Sequence, residues 1–361
     1  MVEFRAQEQD LFERLEGKVN KEPIRDLLVE FQQKFPGEIH TSGSKSEIVE
    51  NLRNAVATGR IPRERVFGLL QEWEESGSQI MLYYSPKTPA ARQLCKEPEQ
   101  VATQLFGPNW RQTQGFPKLT RLTNGYDVVD FRTGHMDKPN DWLMKVYTFQ
   151  ETQVRVRELE QVEVAMRGLM GLQQDEFAVI YRRLVTESVC LARWNDHPSQ
   201  GLLEIRVELS GRLSRFDMDV NAIWTRLRQA FDRDEDFDLW ELRGPLEQML
   251  RGCSDHAAVF ELGLANLIDS GEWGVRFTPY TETERIHDIP GRLDSIHKML
   301  DDGGRCDRLV MTWLAEGSGG ALDKDLRTYA GSRGTNELVI RAQTTGRAVD
   351  YVTDQLRAFA C

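Results

Sequence analysis

The stretch 202–211, LLEIRVELSG, alternates apolar and charged residues with strict period two. Leu203, Ile205, Val207 and Leu209 fall on one side of an extended chain, and Glu204, Arg206 and Glu208 on the other. A helix would scatter these residues round its circumference, whereas a strand sorts them onto two faces. The pattern predicts an antiparallel strand with its apolar face in a core and its charged face in water. Such a strand needs neighbours and a covering layer, and the flanking sequence offers both.

Further strands are predicted in GSQIMLYYS (77–85), GYDVVDFRTG (125–134), DWLMKVYTFQETQVRV (141–156) and the later part of EFAVIYRRLVTESVCLARW (176–194). They are rich in β-branched and aromatic residues and are bounded by turn residues. Helical spacing marks four segments of residues 4–80, with Ile24, Leu27, Leu28 and Phe31 on one face of the second and Ile48, Val49, Leu52 and Val56 on one face of the third. Helices are also expected over 155–173 and in 219–231, 242–252 and 255–271. The tail reads as strand 273–281, helix 290–303, strand 307–316, a glycine-rich turn, strand 336–345 and the amphipathic helix 347–359. The fold class is therefore α+β: an N-terminal helical bundle followed by a mixed α/β body with largely antiparallel strands. The expected division is a helical head at 1–85, a connector at 86–120, a β-rich mixed segment at 121–215 and an α/β segment at 216–361. A chain of 361 residues is longer than one typical core, in keeping with such a division.

Charge and cysteine usage narrow the function. A net charge of −11 argues against broad electrostatic attraction to nucleic acid, though not against a local basic surface. Five cysteines, odd in number and without a CxxC pair, suit a reducing cytoplasm rather than a zinc ribbon or disulfide scaffold. The N-terminus is charged from its third residue, unlike a signal peptide, and no apolar run reaches the length of a membrane span. The expected location is cytoplasmic, with no cofactor and no metal.

The most informative short stretch is TSGSKSEIVENLR, 41–53, a polar glycine turn running into an amphipathic helix. Two readings stand side by side. In one, Thr41, Ser42 or Ser44 caps the helix and Glu47 completes a capping box with Ser44. In the other, the helix N-terminus and Lys45 contact phosphate, and Arg53, Arg60, Arg63 and Arg65 extend a basic edge. Residues 1–80 hold 11 Lys/Arg against 15 Asp/Glu, so any such edge is local.

The segment IRDLLVEFQQKFPGEIHTSGSKSEIVENL resembles the SAP motif, a short helix–turn–helix DNA-binding module. Ile24, Leu27 and Leu28 match its first helix, Thr41, Ser42, Gly43, Ser44 and Lys45 its turn, and Glu47, Ile48, Val49 and Leu52 its second helix. The resemblance implies phosphate contact by the turn and the start of the second helix. In layout alone, a small helical head before a mixed body is similar to the centromere protein N family, whose pyrin-type head and body engage a nucleosome. No residue is carried over from that family.

Catalytic patterns are sparse. Ser42–Lys45 satisfies SxxK, but the SDN and KTG motifs of penicillin-recognising acyl enzymes are missing. Asp196 with Glu204-Ile205-Arg206 outlines a PD-(D/E)xK nuclease in which Arg replaces Lys. Gly317, Gly319 and Gly320 follow an apolar strand without completing a P-loop. His287, His297, Asp288 and Asp294 lie close in sequence without a standard metal spacing. The acidic run 232–238 reads as a solvated loop or a dock for a basic partner. Val349, Val352, Leu356 and Phe359 form one stripe of the last helix, for packing on the strands or for a subunit interface. The sequence thus reads as a bacterial, non-enzymatic binding protein of a defence or genome-maintenance system. DNA is expected at the head, and a protein partner or second copy at the body. The alternatives are a diverged metal-dependent nuclease or phosphate-ester hydrolase, and an assembly protein without nucleic acid.

Overall fold

The structure, a computed structural model, describes residues 11–113, 125–134, 138–158, 179–209, 216–279, 285–289, 291–331 and 334–360. The head is built of α1 (11–18), α2 (Lys21–Gln32), α3 (Lys45–Ala57) and α4 (Arg63–Ser76). The apolar stripes read from the sequence meet in one core, where Leu15, Ile24, Leu28, Ile48, Leu52 and Val66 have no solvent contact. Among the described residues no helix is long and apolar enough to cross a membrane.

The body is one antiparallel sheet of eleven strands among the described residues. In chain order they are β1 (Gln79–Pro86), β2 (Gly125–Thr133), β3 (Trp142–Glu158), β4 (Val179–Asn195), β5 (Leu202–Glu208), β6 (Phe237–Leu239), β7 (Phe260–Ile268), β8 (Gly274–Phe277), β9 (Arg305–Trp313), β10 (Leu326–Ala330) and β11 (Glu337–Ile340). Their spatial order is β2-β3-β4-β5-β1-β11-β10-β9-β7-β8, with β6 paired to the end of β1. The segments before and after residue 215 therefore share a single sheet. β1 joins them: Ile80 stands opposite Val207 on one side and Val339 on the other. The protein is α+β, with N-terminal helices followed by a strand-rich body.

Both faces of the sheet are covered. On one, Ile80, Trp142, Trp194, Leu203 and Ile205 pack against α5 (Pro89–Cys95), α6 (Pro98–Phe106), α7 (Trp110–Thr113) and α8 (Phe216–Leu227). The short helices α5 to α7 occupy much of the segment expected to be a connector. On the other face, Met81, Leu262, Leu309 and Ile340 pack against α10 (Arg243–Gly252), α11 (Arg292–Asp301) and α12 (Gly346–Ala358), where α9 denotes the short turn Arg233–Asp236. Val349, Val352 and Leu356 of α12 are fully buried there, and their side chains contribute about 5–9 kcal/mol of gross apolar transfer. The stripe on the last helix thus packs on the strands.

Several expectations are corrected. Residues 255–271 contain β7 and not a helix. The buried positions Phe260, Leu262, Ala265 and Leu267 alternate on either side of a bulge between Leu262 and Leu264, and that one-residue slip imitates helical spacing. The helix expected over 155–173 is β3 as far as Glu158, and the rest lies outside the described residues. β10, missed in the sequence, is short, with inward Leu326, Thr328 and Ala330. The largest correction concerns β5: its charged face is buried too, with Glu204 at 0% and Arg206 at 2% exposure.

Candidate functional site

The turn before α3 is organised by Ser44 as N-cap. Glu47 N–H donates to Ser44 Oγ at 3.3 Å, and Ser44 N–H donates to Glu47 Oε2 at 2.6 Å, a complete capping box. Gly43 has φ +128°, and a Cβ there would lie 2.8 Å from Glu47 Oε2. Glycine is thus what lets the Glu47 side chain fold back over the helix end. The backbone hydrogen bond from Ser44, aided by its hydroxyl, holds the Glu47 carboxyl below its ordinary pKa. The positive end of α3 therefore already faces one carboxylate.

The predicted basic edge is divided. Lys45 is the first residue of α3, half-buried, and has no carboxylate partner among the described residues. Arg53 pairs with Glu50 at 2.6 Å and lies over the Phe12 ring. Arg60 donates to Glu38 at 2.6 Å, and Arg65 grips Glu30 with two bonds of 3.1 and 2.7 Å. Arg63 stacks on Phe67. Lys45 and the Arg60–Arg65 group sit at opposite ends of α3, about 20 Å apart at 1.5 Å per residue. Thr41 is half-buried and Ser42 is exposed.

The charged face of β5 explains how the head is held. Glu74 and Glu75, in the last turn of α4, enter a buried ion-pair layer on the sheet. Glu74 accepts from Arg14 at 2.8 Å, Lys145 at 3.1 Å and the Tyr147 hydroxyl at 2.9 Å. Glu75 pairs with Lys145 at 2.9 Å and with Arg132. Burial alone would raise the Glu75 carboxyl, but Lys145 and Arg132 outweigh it and hold it at about 2. Next along the sheet, Arg193 lies between Asp141 and Asp350, each 3.0 Å from Nη2. Glu204 accepts from Asn195 at 2.8 Å and Arg206 Nε at 3.0 Å. Arg193 stands directly opposite Glu204 in the β4–β5 register. Burial pushes the Asp141 carboxyl up to about 6 despite Arg193. Buried charges persist when paired and hydrogen-bonded, and here every named carboxylate has a cationic neighbour. The nuclease outline thus places Glu204 inside a structural network, while Asp196 faces Asn140 and Lys96. Among the described residues no group of three or more His, Cys, Asp or Glu is placed to hold a metal.

The remaining motifs have local partners. The Gly317–Gly320 turn is tied by Ser318, whose hydroxyl donates to Ala315 O and accepts from Leu322 N–H. His297 Nε2 lies 3.2 Å from the Leu250 carbonyl oxygen, while the His287 side chain is outside the described residues. Asp232 caps α9, accepting from Asp234 and Glu235 N–H.

Sequence reasoning missed a cavity of about 410 Å³ at the end of the sheet, between α5 and the β4–β5 connection. Arg92, Lys96, Trp194, His197 and Ser199 line it, and among the described residues no carboxylate does. No local pattern marks it, because its parts come from two distant segments, 85–96 and 194–201.

No family model matches the chain, and no curated protein matches it. Among solved structures, the chain is 12% identical to DynU16, a protein of the dynemicin biosynthetic locus. The match covers 78% of this chain and 94% of that one, and its TM-score of 0.17 is too low to carry fold or function across.

Proposed function

We propose that the protein is a cytoplasmic, non-enzymatic binding protein whose helical head contacts the phosphate backbone of DNA. The observation that supports this is Lys45: a cation without a carboxylate partner among the described residues, at the first position of α3, beside an exposed turn. Helix N-termini favour anions. The Arg53, Arg60 and Arg65 pairs are exposed, and such pairs are worth about 0–1 kcal/mol, so phosphate can replace their carboxylates at little cost. A strand laid along α3 from Lys45 to Arg65 would span roughly six base steps of about 3.4 Å. Glu47 is the internal competitor for the helix end. The four described cysteines, all buried free thiols, are in keeping with a reducing compartment.

Fluorescence anisotropy of labelled duplex DNA with the full chain, at low and moderate salt, tests this reading. Salt-sensitive binding that is lost in Lys45→Glu/Arg53→Glu supports it. No binding at low salt, or equal binding by the variant, reduces the turn to a helix cap.

A second reading, assembly without nucleic acid, has its own support. β8 is the last strand of the sheet, and Trp273 beside it is 75% exposed, with Val275 at 39%. Open strand edges with apolar side chains pair readily with a second copy. A discrete dimer by light scattering, dispersed by Trp273→Ser, would favour this reading.

A further inference from the structure

We infer that strands β7–β11 bind single-stranded nucleic acid on the face turned away from α10–α12. Arg276, Arg308, Arg327 and Arg341 neutralise phosphates there, and Tyr329 with the guanidinium planes beside it carries the unpaired bases.

The register brings these side chains together. Tyr329 of β10 stands opposite Val339 on one side and Val310 on the other, so all three share a face. Arg327 lies two residues back on the same strand and on the same face. Arg341 follows Ile340, whose partner is Thr328, and so falls beside Arg327. On the other side of Tyr329, Arg308 of β9 is opposite Asn266 of β7, which is in turn opposite Arg276 of β8. From β11 to β8 there are four strand spacings of about 4.8 Å each, a span of roughly 19 Å.

This surface is open and basic. The layer α5–α8 covers only part of its side of the sheet: it reaches Val339 and Tyr329, and among the described residues no other side chain of β7–β11 joins its core. Arg276, Arg327 and Arg341 are exposed, and Arg308 is half-buried with its Nε lacking an acceptor. None of the four has a carboxylate partner among the described residues. The acidic groups on the same face are occupied or hidden, since Glu261 pairs with Arg285 and Glu337 is buried. On the head, by contrast, Arg53, Arg60 and Arg65 each hold a glutamate. Four unpaired guanidinium groups on one face make a local positive field on a chain whose net charge is −11.

Tyr329 decides which polyanion fits. The Arg341 guanidinium lies 4.5 Å from its ring centroid and that of Arg327 5.7 Å, so both cations are laid against the ring before any ligand arrives. An acidic peptide would use the charges alone. Unpaired bases also stack on aromatic rings and on arginine planes, whatever their sequence. A single strand therefore engages both the charges and the aromatic platform, whereas the bases of a duplex are already stacked on one another.

The test is fluorescence anisotropy of labelled single-stranded RNA and DNA of about 12 nucleotides, a length within the range of single-strand sites, with the full chain over a series of salt concentrations. Four phosphate contacts predict a slope of log affinity against log salt of about −2.8. Arg327→Gln/Arg341→Gln, both at exposed positions, should make the slope shallower by about 1.4 and weaken binding at least tenfold. Tyr329→Ala should weaken binding roughly tenfold with the slope unchanged, because stacking releases no counterions. The head variant Lys45→Glu/Arg53→Glu should bind as wild type, which separates this surface from the proposed duplex contact. A preference for RNA or for DNA supports the proposal and names the sugar. No binding at low salt, wild-type binding by the arginine double variant, or displacement by polyglutamate as effective as by unlabelled oligonucleotide overturns it, the last in favour of an acidic protein partner.

Discussion

Replacing Glu75 by Gln should remove stability in a manner that depends on pH, because this carboxylate is ionised and buried where the head meets the sheet. Its ordinary pKa is 4.5, and Lys145 and Arg132 lower it to about 2 against the opposing effect of burial. The folded pKa is the lower one, so the stabilisation is fully present above 4.5 and is lost as pH falls through 2. The gap of about 2.5 pH units, at about 1.4 kcal/mol each, gives roughly 3.4 kcal/mol near neutrality. At about pH 3 the same two values leave roughly 1.4 kcal/mol, and near pH 1 almost nothing. The assay is urea unfolding of wild type and Glu75→Gln, followed by circular dichroism at a series of pH values. Only the difference between the two proteins is read, so the other carboxylates largely cancel. A difference near 3 kcal/mol at neutral pH, shrinking below pH 4.5, supports an ionised joint. A difference that is independent of pH would mean that Glu75 acts by shape alone, and the electrostatic account would fall.

Arg193→Met should destabilise by about 3–5 kcal/mol in urea, since Asp141 and Asp350 would be left as buried carboxylates without their shared cation. Restoring charge balance with Asp350→Asn should recover part of that loss. Ser44→Ala should cost about 1 kcal/mol by thermal unfolding, because the capping box loses its acceptor for Glu47 N–H. Gly201→Ala should destabilise by about 1–3 kcal/mol in the same measurement, because the added methyl meets the Trp194 ring.

The head and the larger strands were legible because their patterns are local. Periods of 3.6 and of two place Leu28, Leu52 and Ile205 correctly without knowledge of their partners. Burial of Glu204 and Arg206 was not legible, because it depends on Arg193, Asp350 and Glu75 arriving from distant segments. The cross-strand pair Arg193–Glu204 is a signal only once the register is known. The same holds for the basic edge: Arg60 and Arg65 are visible as charges, but their partners lie 22 and 35 residues away. The capping box, by contrast, spans four residues and was one of the two readings of the turn.

The position of β1 has a consequence for how the chain reaches this state. It is the first strand in sequence, yet it lies in the interior of the sheet, between β5 and β11. Tyr83 on β1 hydrogen-bonds Thr353 on α12 across 270 residues. During synthesis β1 therefore keeps an unpaired edge until β11 has emerged. Loop closure over such distances is slow, and a waiting edge strand is open to wrong partners. Late completion of this seam makes a truncation that removes β11 a defect in assembly of the entire sheet rather than the loss of one strand.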